Sequence, residues 1–512
     1  MRALPLAALL SLGTPPQGRA QAPAAEPRLP DCASPLMRSI FEAVLPVVRR
    51  GSVDSRLVAT GDNDAAPKPF LGAAAVFAGA AELIAGAERE VDFQTYVWED
   101  GSQAAEAILG GIAKLQERRR TQGPASSPAT AGAAAVPPDS EASIRDAIAA
   151  LRERQKAPAP GPGRDPVMVR LFMDANDFGI DSEPIGKQVP ILQARLDALG
   201  LDPALVRVEV AAYDHALLGV LHSKTLIVDG RRAIVMGANA QKKFDAPDSW
   251  FDAGYRFDGE MAGALREDFA DAWSRGTRWT CGTRVVPGGI DPRCMSRNQP
   301  LPPLTAAASP AHACLPMLVV TTKSHQTPLL NRTDNPADQA LLGGFGAASR
   351  IIRAQTPALN DDAARAALLD AVIRRGTEVD LVLSKGFDNA SEDKLGQGGD
   401  NEKNVSRLYR ALEQAGVRDP CSRLKVRWYS YDGRKPVVGN GPHASHAKYA
   451  SFDGAVVIVG SSNLDTQSWN CSREIDVVVD DAATVASWDK QVFLPNFARA
   501  VPVDECAADG AR

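Results

Sequence analysis

The sequence predicts an α/β protein built from two similar halves, and three observations carry that prediction. Short apolar runs alternate with amphipathic helical stretches, the pattern of strands feeding helices. The same order of runs occurs twice along the chain. A His-x-Lys-x4-Asp pattern also occurs twice, as His222-Ser223-Lys224 with Asp229 and as His446-Ala447-Lys448 with Asp453. At 512 residues, 45% hydrophobic and 23% charged, the chain is long enough for two such bodies and apolar enough to give each a core.

Taken from the start, Met1-Arg2, the apolar run 3–12 and Ala20-Gln21-Ala22 have the charged beginning, short hydrophobic centre and small-residue exit of a secretory signal over 1–22. An exported protein, periplasmic or extracellular, is expected. No later run approaches the roughly 18 to 20 apolar residues that cross a bilayer, so the mature chain is expected to carry no transmembrane anchor. The first half is placed at 23–290, with strands over 91–98, 167–174 and 206–211 and a helix over 103–120. Inside it, 121–166 is dense in Ala, Pro, Gly and Ser and reads as a surface insertion, with Ile144, Ile148 and Leu151 marking a short amphipathic helix.

The stretch 291–314 carries Pro300, Pro302, Pro303 and Pro310 and reads as the crossover between halves. The second half, 315–505, repeats the order: strand 350–356, helix 361–375, strands 379–383 and 426–431. Gln94-Thr95 is answered by Gln355-Thr356, each ending a strand before an acidic, helix-opening segment. Of the seven cysteines, Cys281 and Cys294 close a short loop and are the best pair for a disulfide, and the odd count leaves one over. A net charge of -5 gives no overall basic field, which makes nucleic acid an unlikely partner.

Two chance copies of the His-x-Lys-x4-Asp pattern are expected on the order of once in ten thousand sequences of this composition. On a strand, residues i and i+2 share a face, which would set each His beside its Lys. Asp229-Gly230 and Asp453-Gly454 are hairpin dipeptides, and folding back there brings Asn239 and Asn463 towards the histidines. Lysine cation, asparagine amide and imidazole together suit a tetrahedral phosphate, with no metal or cofactor required. The two aspartates read as turn residues. His443 reads as a polar loop residue, Tyr96 and Trp98 as strand-end core.

These motifs resemble the phospholipase D superfamily, whose Gly-Ser-x-Asn continuation is matched by Gly460-Ser461-Ser462-Asn463. The first copy departs, reading Met236-Gly237-Ala238-Asn239, without the serine hydroxyl. Trp250-Phe251-Asp252 and the stretch on to Trp273 look like the cardiolipin synthase branch, and the similarity spans residues 70–500. The resemblance implies two phospholipase D-type α/β sandwich halves related by a pseudo-twofold, with the active site at their interface. It implies His222 as nucleophile forming a phosphohistidine, His446 as acid and base, and Glu474 and Asp252 as carboxylates set against the histidines. Lys224, Lys448, Asn239, Asn463 and Ser461 would bind phosphate. The first reading is hydrolysis of phospholipids at a membrane surface. The second is phosphatidyl transfer, as in cardiolipin or phosphatidylserine synthases, and the third an exported nuclease of the same superfamily. Oligomeric state is left open.

Overall fold

The computed structural model describes residues 28–49, 58–60, 67–121, 165–175, 184–213, 219–281, 292–303, 314–322, 334–392 and 396–507. The expected signal segment 1–22 and the helix expected through Ile144, Ile148 and Leu151 lie outside the described residues.

Among the described residues, two nine-stranded sheets form the body. In spatial order the first runs Met295–Arg297, Gly276–Trp279, Val206–Tyr213, Val167–Asp174, Glu90–Thr95, Thr225–Val228, Arg232–Met236, Ala253–Asp258, Lys68–Leu71. The second runs Val501–Pro502, Leu424–Trp428, Glu378–Leu383, Ile351–Thr356, Tyr449–Phe452, Val456–Gly460, Glu474–Asp480, Met317–Thr322, Val58–Thr60. Eight strands of each sheet correspond in order, from Gly276–Trp279 to Lys68–Leu71 in the first and from Val501–Pro502 to Met317–Thr322 in the second. The pairings match too: Glu90–Thr95 lies parallel to Val167–Asp174 and antiparallel to Thr225–Val228, as Ile351–Thr356 does to Glu378–Leu383 and Tyr449–Phe452. The chain is one α/β unit used twice.

Period-two burial sorts each strand between two cores. Leu226, Val228, Ile234 and Met236 face the outer helices of the first half, including Ala73–Ala85 and Gln103–Thr121. Ile227, Val235, Tyr255 and Phe257 face inward, into one core with Val457, Val459, Val477 and Val479 of the second sheet. Val456, Ile458 and Val478 turn to the outer helices of the second half. The central core therefore belongs to both halves, and apolar burial holds the two sheets in fixed register.

The expected boundaries shift in two places. Helix Pro35–Arg49 and strand Val58–Thr60 join the second half, not the first. Met37, Ile40, Phe41 and Val44 form a helical stripe that is buried with Leu341 and Phe345 of helix Pro336–Ala347. Close approach of the two helices needs Gly343, where an added Cβ would meet Ala43 Cβ at 3.0 Å and Ile40 Cα at 3.1 Å. Cys32–Cys314 ties this segment down, and Val58–Thr60 pairs antiparallel with Met317–Thr322. Second, the start of the expected crossover belongs to the first half. Met295–Arg297 adds an edge strand to Gly276–Trp279 because Cys281–Cys294 closes the intervening loop and Thr280 N–H donates to Cys294 O at 2.8 Å. Cys421–Cys506 is the third disulfide, and Cys471 is a buried free thiol.

Candidate active site

Each half delivers its motif through the same hairpin. Asp229 and Gly230 turn Thr225–Val228 into Arg232–Met236 with φ of 58° and 64°, and Asp453 and Gly454 turn Tyr449–Phe452 into Val456–Gly460 with φ of 53° and 66°. Both positions need the left-handed region, which Asp-Gly supplies at low cost. The aspartate side chains hold the neighbouring central strand. Asp229 accepts the backbone N–H groups of Glu88, Arg89 and Glu90, and Asp453 those of Ser349, Arg350 and Ile351. They anchor the hairpins and do not face the histidines.

The His-x-Lys segments lie just before the strands, which begin at Thr225 and Tyr449, whereas the spacing placed them on strands. The backbone of each is bonded across the halves instead. His222 N–H donates to Arg473 O at 2.9 Å, and His446 N–H donates to Phe251 O at 2.8 Å. Each accepting residue immediately precedes a carboxylate, and those carboxylates complete the crossing. His222 Nδ1 lies 2.8 Å from Glu474, and His446 Nδ1 lies 2.8 Å from Asp252. Each half thus orients the other half's histidine, and the two imidazole centroids stand 6.5 Å apart.

Lys224 and Lys448 turn their ammonium groups onto the carbonyl oxygens of His222 and His446. Lys448 Nζ is also 2.8 Å from His446 Nδ1, so Asp252, His446 and Lys448 share one proton network. Glu474, Asp252, Lys224 and Lys448 are all buried. Burial pushes the carboxyls of Glu474 and Asp252 up to about 7, against the pull of the two lysines. It pushes Lys224 down to about 7 and Lys448 down to about 8, with the carboxylates opposing. His446 is held well below the ordinary imidazole value by burial and then by the lysine cations. Two carboxyls and two ammonium groups, buried together beside the paired imidazoles and poised near neutrality, make a site whose protonation can shift when a charged group enters.

Asn239 and Asn463 occupy matching places. Thr95 and Thr356 each donate to a carbonyl two residues on, Val97 O and Ala358 O, at 3.0 Å, and each accepts from the residue after the asparagine, Ala240 N at 3.4 Å and Leu464 N at 3.3 Å. The repeated Gln-Thr therefore clamps the asparagine loops. Asn239 Oδ1 lies 3.5 Å from Val97 N, whereas Asn463 Nδ2 donates to the buried Asp465 at 2.8 Å. Ser461, expected to bind phosphate, has its hydroxyl on the carboxylate of its own half. Its hydroxyl donates to Glu474 Oε2 at 2.6 Å and accepts from Ile475 N–H at 3.0 Å, so it braces the carboxylate. At the matching position Gly237 leaves room for Asp252, whose carboxylate an added Cβ would strike.

The sequence reading missed the aromatic lining. Tyr96, read as core, is half-buried with its ring 5.5 Å from His222 and 5.6 Å from Lys224 Nζ. Its place directly after the repeated Gln-Thr was the available signal. Phe244, Trp250 and Phe387 surround the His446 ring at 5.7, 5.8 and 6.1 Å. Phe244 and Phe387 lie outside any strand or α-helix, where periodicity says nothing. Trp98 is buried core against Phe93. His443 stacks on Tyr431 at 3.9 Å, on the loop leading to His446.

Residues 341–493 match the family model described as "Cardiolipin synthase, PLD-like domain". No curated protein matches the chain. Among solved structures, phosphatidylserine synthase from Haemophilus influenzae Rd KW20 is similar at 12% identity and a TM-score of 0.55, over 90% of this chain and 91% of that one. That likeness is one of fold, and it extends through both halves.

Proposed function

We propose that this chain, which belongs to the phospholipase D superfamily and is a phosphodiesterase or phosphatidyltransferase of that class, breaks the phosphate–head-group ester of a phospholipid and passes the phosphatidyl group to an acceptor. The crossed arrangement carries the reading: two histidines, each fixed at Nδ1 by a buried carboxylate and each with a buried lysine beside it. A carboxylate on Nδ1 leaves Nε2 as the working atom and stabilises the imidazolium when it forms.

His222 is the more exposed of the two and takes the nucleophile's part. Its Nε2 attacks phosphorus, and the head-group oxygen leaves with a proton from His446 Nε2, giving phosphohistidine and neutral His446. An acceptor hydroxyl then gives its proton to His446 and attacks phosphorus, and the bond to His222 breaks. Splitting one displacement into two lowers each barrier. Lys224 and Lys448 neutralise the non-bridging oxygens throughout.

An alcohol acceptor is favoured over water by the lining of Phe244, Trp250 and Phe387 around His446, and both named comparisons are synthases. Hydrolysis is the second reading, with water taking the acceptor's place. Three disulfides support action in an oxidising compartment, outside the cytoplasm. The test is to incubate the protein with mixed phospholipid vesicles, with and without glycerol and chelator, and to measure free head group, phosphatidic acid and transfer products. Transfer products with glycerol, unaffected by chelator, are expected. Phosphatidic acid alone would make it a hydrolase, and no turnover of any phospholipid would defeat the reading.

A further inference from the structure

Among the described residues, the two most exposed large hydrophobic side chains are Val438 at 65% and Tyr431 at 56%. They stand on one loop, 429–443, which runs directly into His446. Arg434 and Lys435 are exposed between them. The one acidic group of the loop, Asp432, is spent on the loop itself, accepting Arg434 N–H at 2.9 Å and Lys435 N–H at 3.3 Å. Further bonds hold the loop in shape. Ser430 Oγ donates to Lys435 O at 2.7 Å, Val437 N–H donates to Tyr429 O at 3.0 Å, and Gly439 N–H donates to Lys385 O at 2.8 Å. Tyr431 is locked against His443, whose N–H reaches Asp248 O of the other half at 3.1 Å.

We infer that loop 429–443 docks the protein on a phospholipid bilayer carrying anionic head groups. This rests on the phospholipid reading of the site. The loop is already held in shape by its own hydrogen bonds, and it exposes two cations between a tyrosine and a valine, the composition of an interfacial anchor: an aromatic and an aliphatic to enter the head-group region, and basic side chains for the charged surface. Lys385 meets Val438 in a backbone bridge, and the buried Phe387, two residues on, lies against the His446 ring, which links the loop to the site. A lipid entering from the bilayer would then reach His446 without first crossing water.

The test uses the whole protein with vesicles of phosphatidylcholine, pure or containing phosphatidylglycerol, and reads co-sedimentation and turnover separately. A second substrate is a short-chain phospholipid kept dissolved as monomer. Wild type should bind the anionic vesicles, Tyr431→Ser/Val438→Ser should bind them about tenfold less, and Arg434→Ser/Lys435→Ser should lose about fivefold per charge. Turnover of the dissolved lipid should stay unchanged in both variants. Wild-type binding by both variants would overturn the docking surface, whatever the activity. Loss of binding in the variants, with no turnover of either lipid by wild type, would keep the surface and reject the phospholipid substrate.

Discussion

The two halves share a sheet order, a hairpin and a motif, yet they support their catalytic groups differently. The second half lends Glu474 to His222 and braces it with the Ser461 hydroxyl. The first half lends the shorter Asp252 to His446 and gives it space by placing Gly237 where the serine would be. Arg473, before Glu474, is a buried guanidinium paired with Asp268 of the first half, while the equivalent position before Asp252 is Phe251, stacked on Tyr429 of the second. A pseudo-twofold thus fixes where the histidines stand, and the departures from it give them different environments. One imidazole is partly open and doubly contacted by a braced carboxylate. The other is buried among aromatics beside an ammonium.

The largest expected effect tests whether the two halves form one site. His222→Ala and His446→Ala should each cost about 10^4-fold or more in turnover with unchanged melting, because each removes one partner of a two-step exchange. A phosphorus-labelled intermediate should accumulate only with His222 present, and most clearly in His446→Ala, where the second step lacks its base. Label retained by His222→Ala and lost from His446→Ala would exchange the two roles.

Removing the carboxylates should cost about a hundredfold each, since the imidazole remains and only its tautomer and charge stabilisation suffer. The pH profile distinguishes them. A coupled pair gives a bell, and Asp252→Asn deprives His446 of its nearby anion, lowering its pKa further, so the limb that requires a protonated His446 should move to lower pH. Unmoved limbs with the same loss of rate would make Asp252 a packing residue.

The lysines separate the halves in the same way. Lys224 sits at about 7 and Lys448 at about 8, so at pH 8 the first is mostly neutral and the second half charged. A bound phosphate dianion raises every pKa around it. Binding should therefore take up protons at pH 8, at Lys224, Glu474 and Asp252 more than at Lys448, and take up far fewer near pH 5, where all four groups already carry their protons. Calorimetry of phosphate binding in two buffers of different ionisation heat reads the uptake directly. Lys224→Met should remove more of it than Lys448→Met.

Much of this was legible in the chain. The paired motifs located both histidines and both lysines, and the Asp-Gly dipeptides located both hairpins, because turn chemistry is local. The resemblance supplied Glu474 and Asp252, but their crossing was not readable, since it depends on how the two sheets face each other. The aromatic lining was missed for a related reason: Phe244, Trp250 and Phe387 come together only in space. The stripe of helix Pro35–Arg49 was present in the sequence, but a stripe names no partner; Cys314 lies 282 residues from Cys32, and Gly343 is farther still along the chain from Ile40. The bond from Ser461 to Glu474 was not readable, because the motif position does not say which neighbour a hydroxyl meets.

The smallest effect is the sharpest test of the departures from symmetry. Ser461→Ala removes one hydrogen bond to Glu474, worth about 1 kcal/mol, and should slow turnover roughly fivefold. The reciprocal change, Gly237→Ser, is not mild, because its Cβ falls on the Asp252 carboxylate and must displace it from His446. If the halves are alternative solutions to one problem, moving both features together should work better than moving one. Gly237→Ser/Asp252→Glu should recover part of the activity that Gly237→Ser loses, as the longer side chain reaches past the serine in the manner of Glu474. A double variant as slow as the single one would show that Asp252 is required for its own geometry around His446, not as a shorter copy of Glu474.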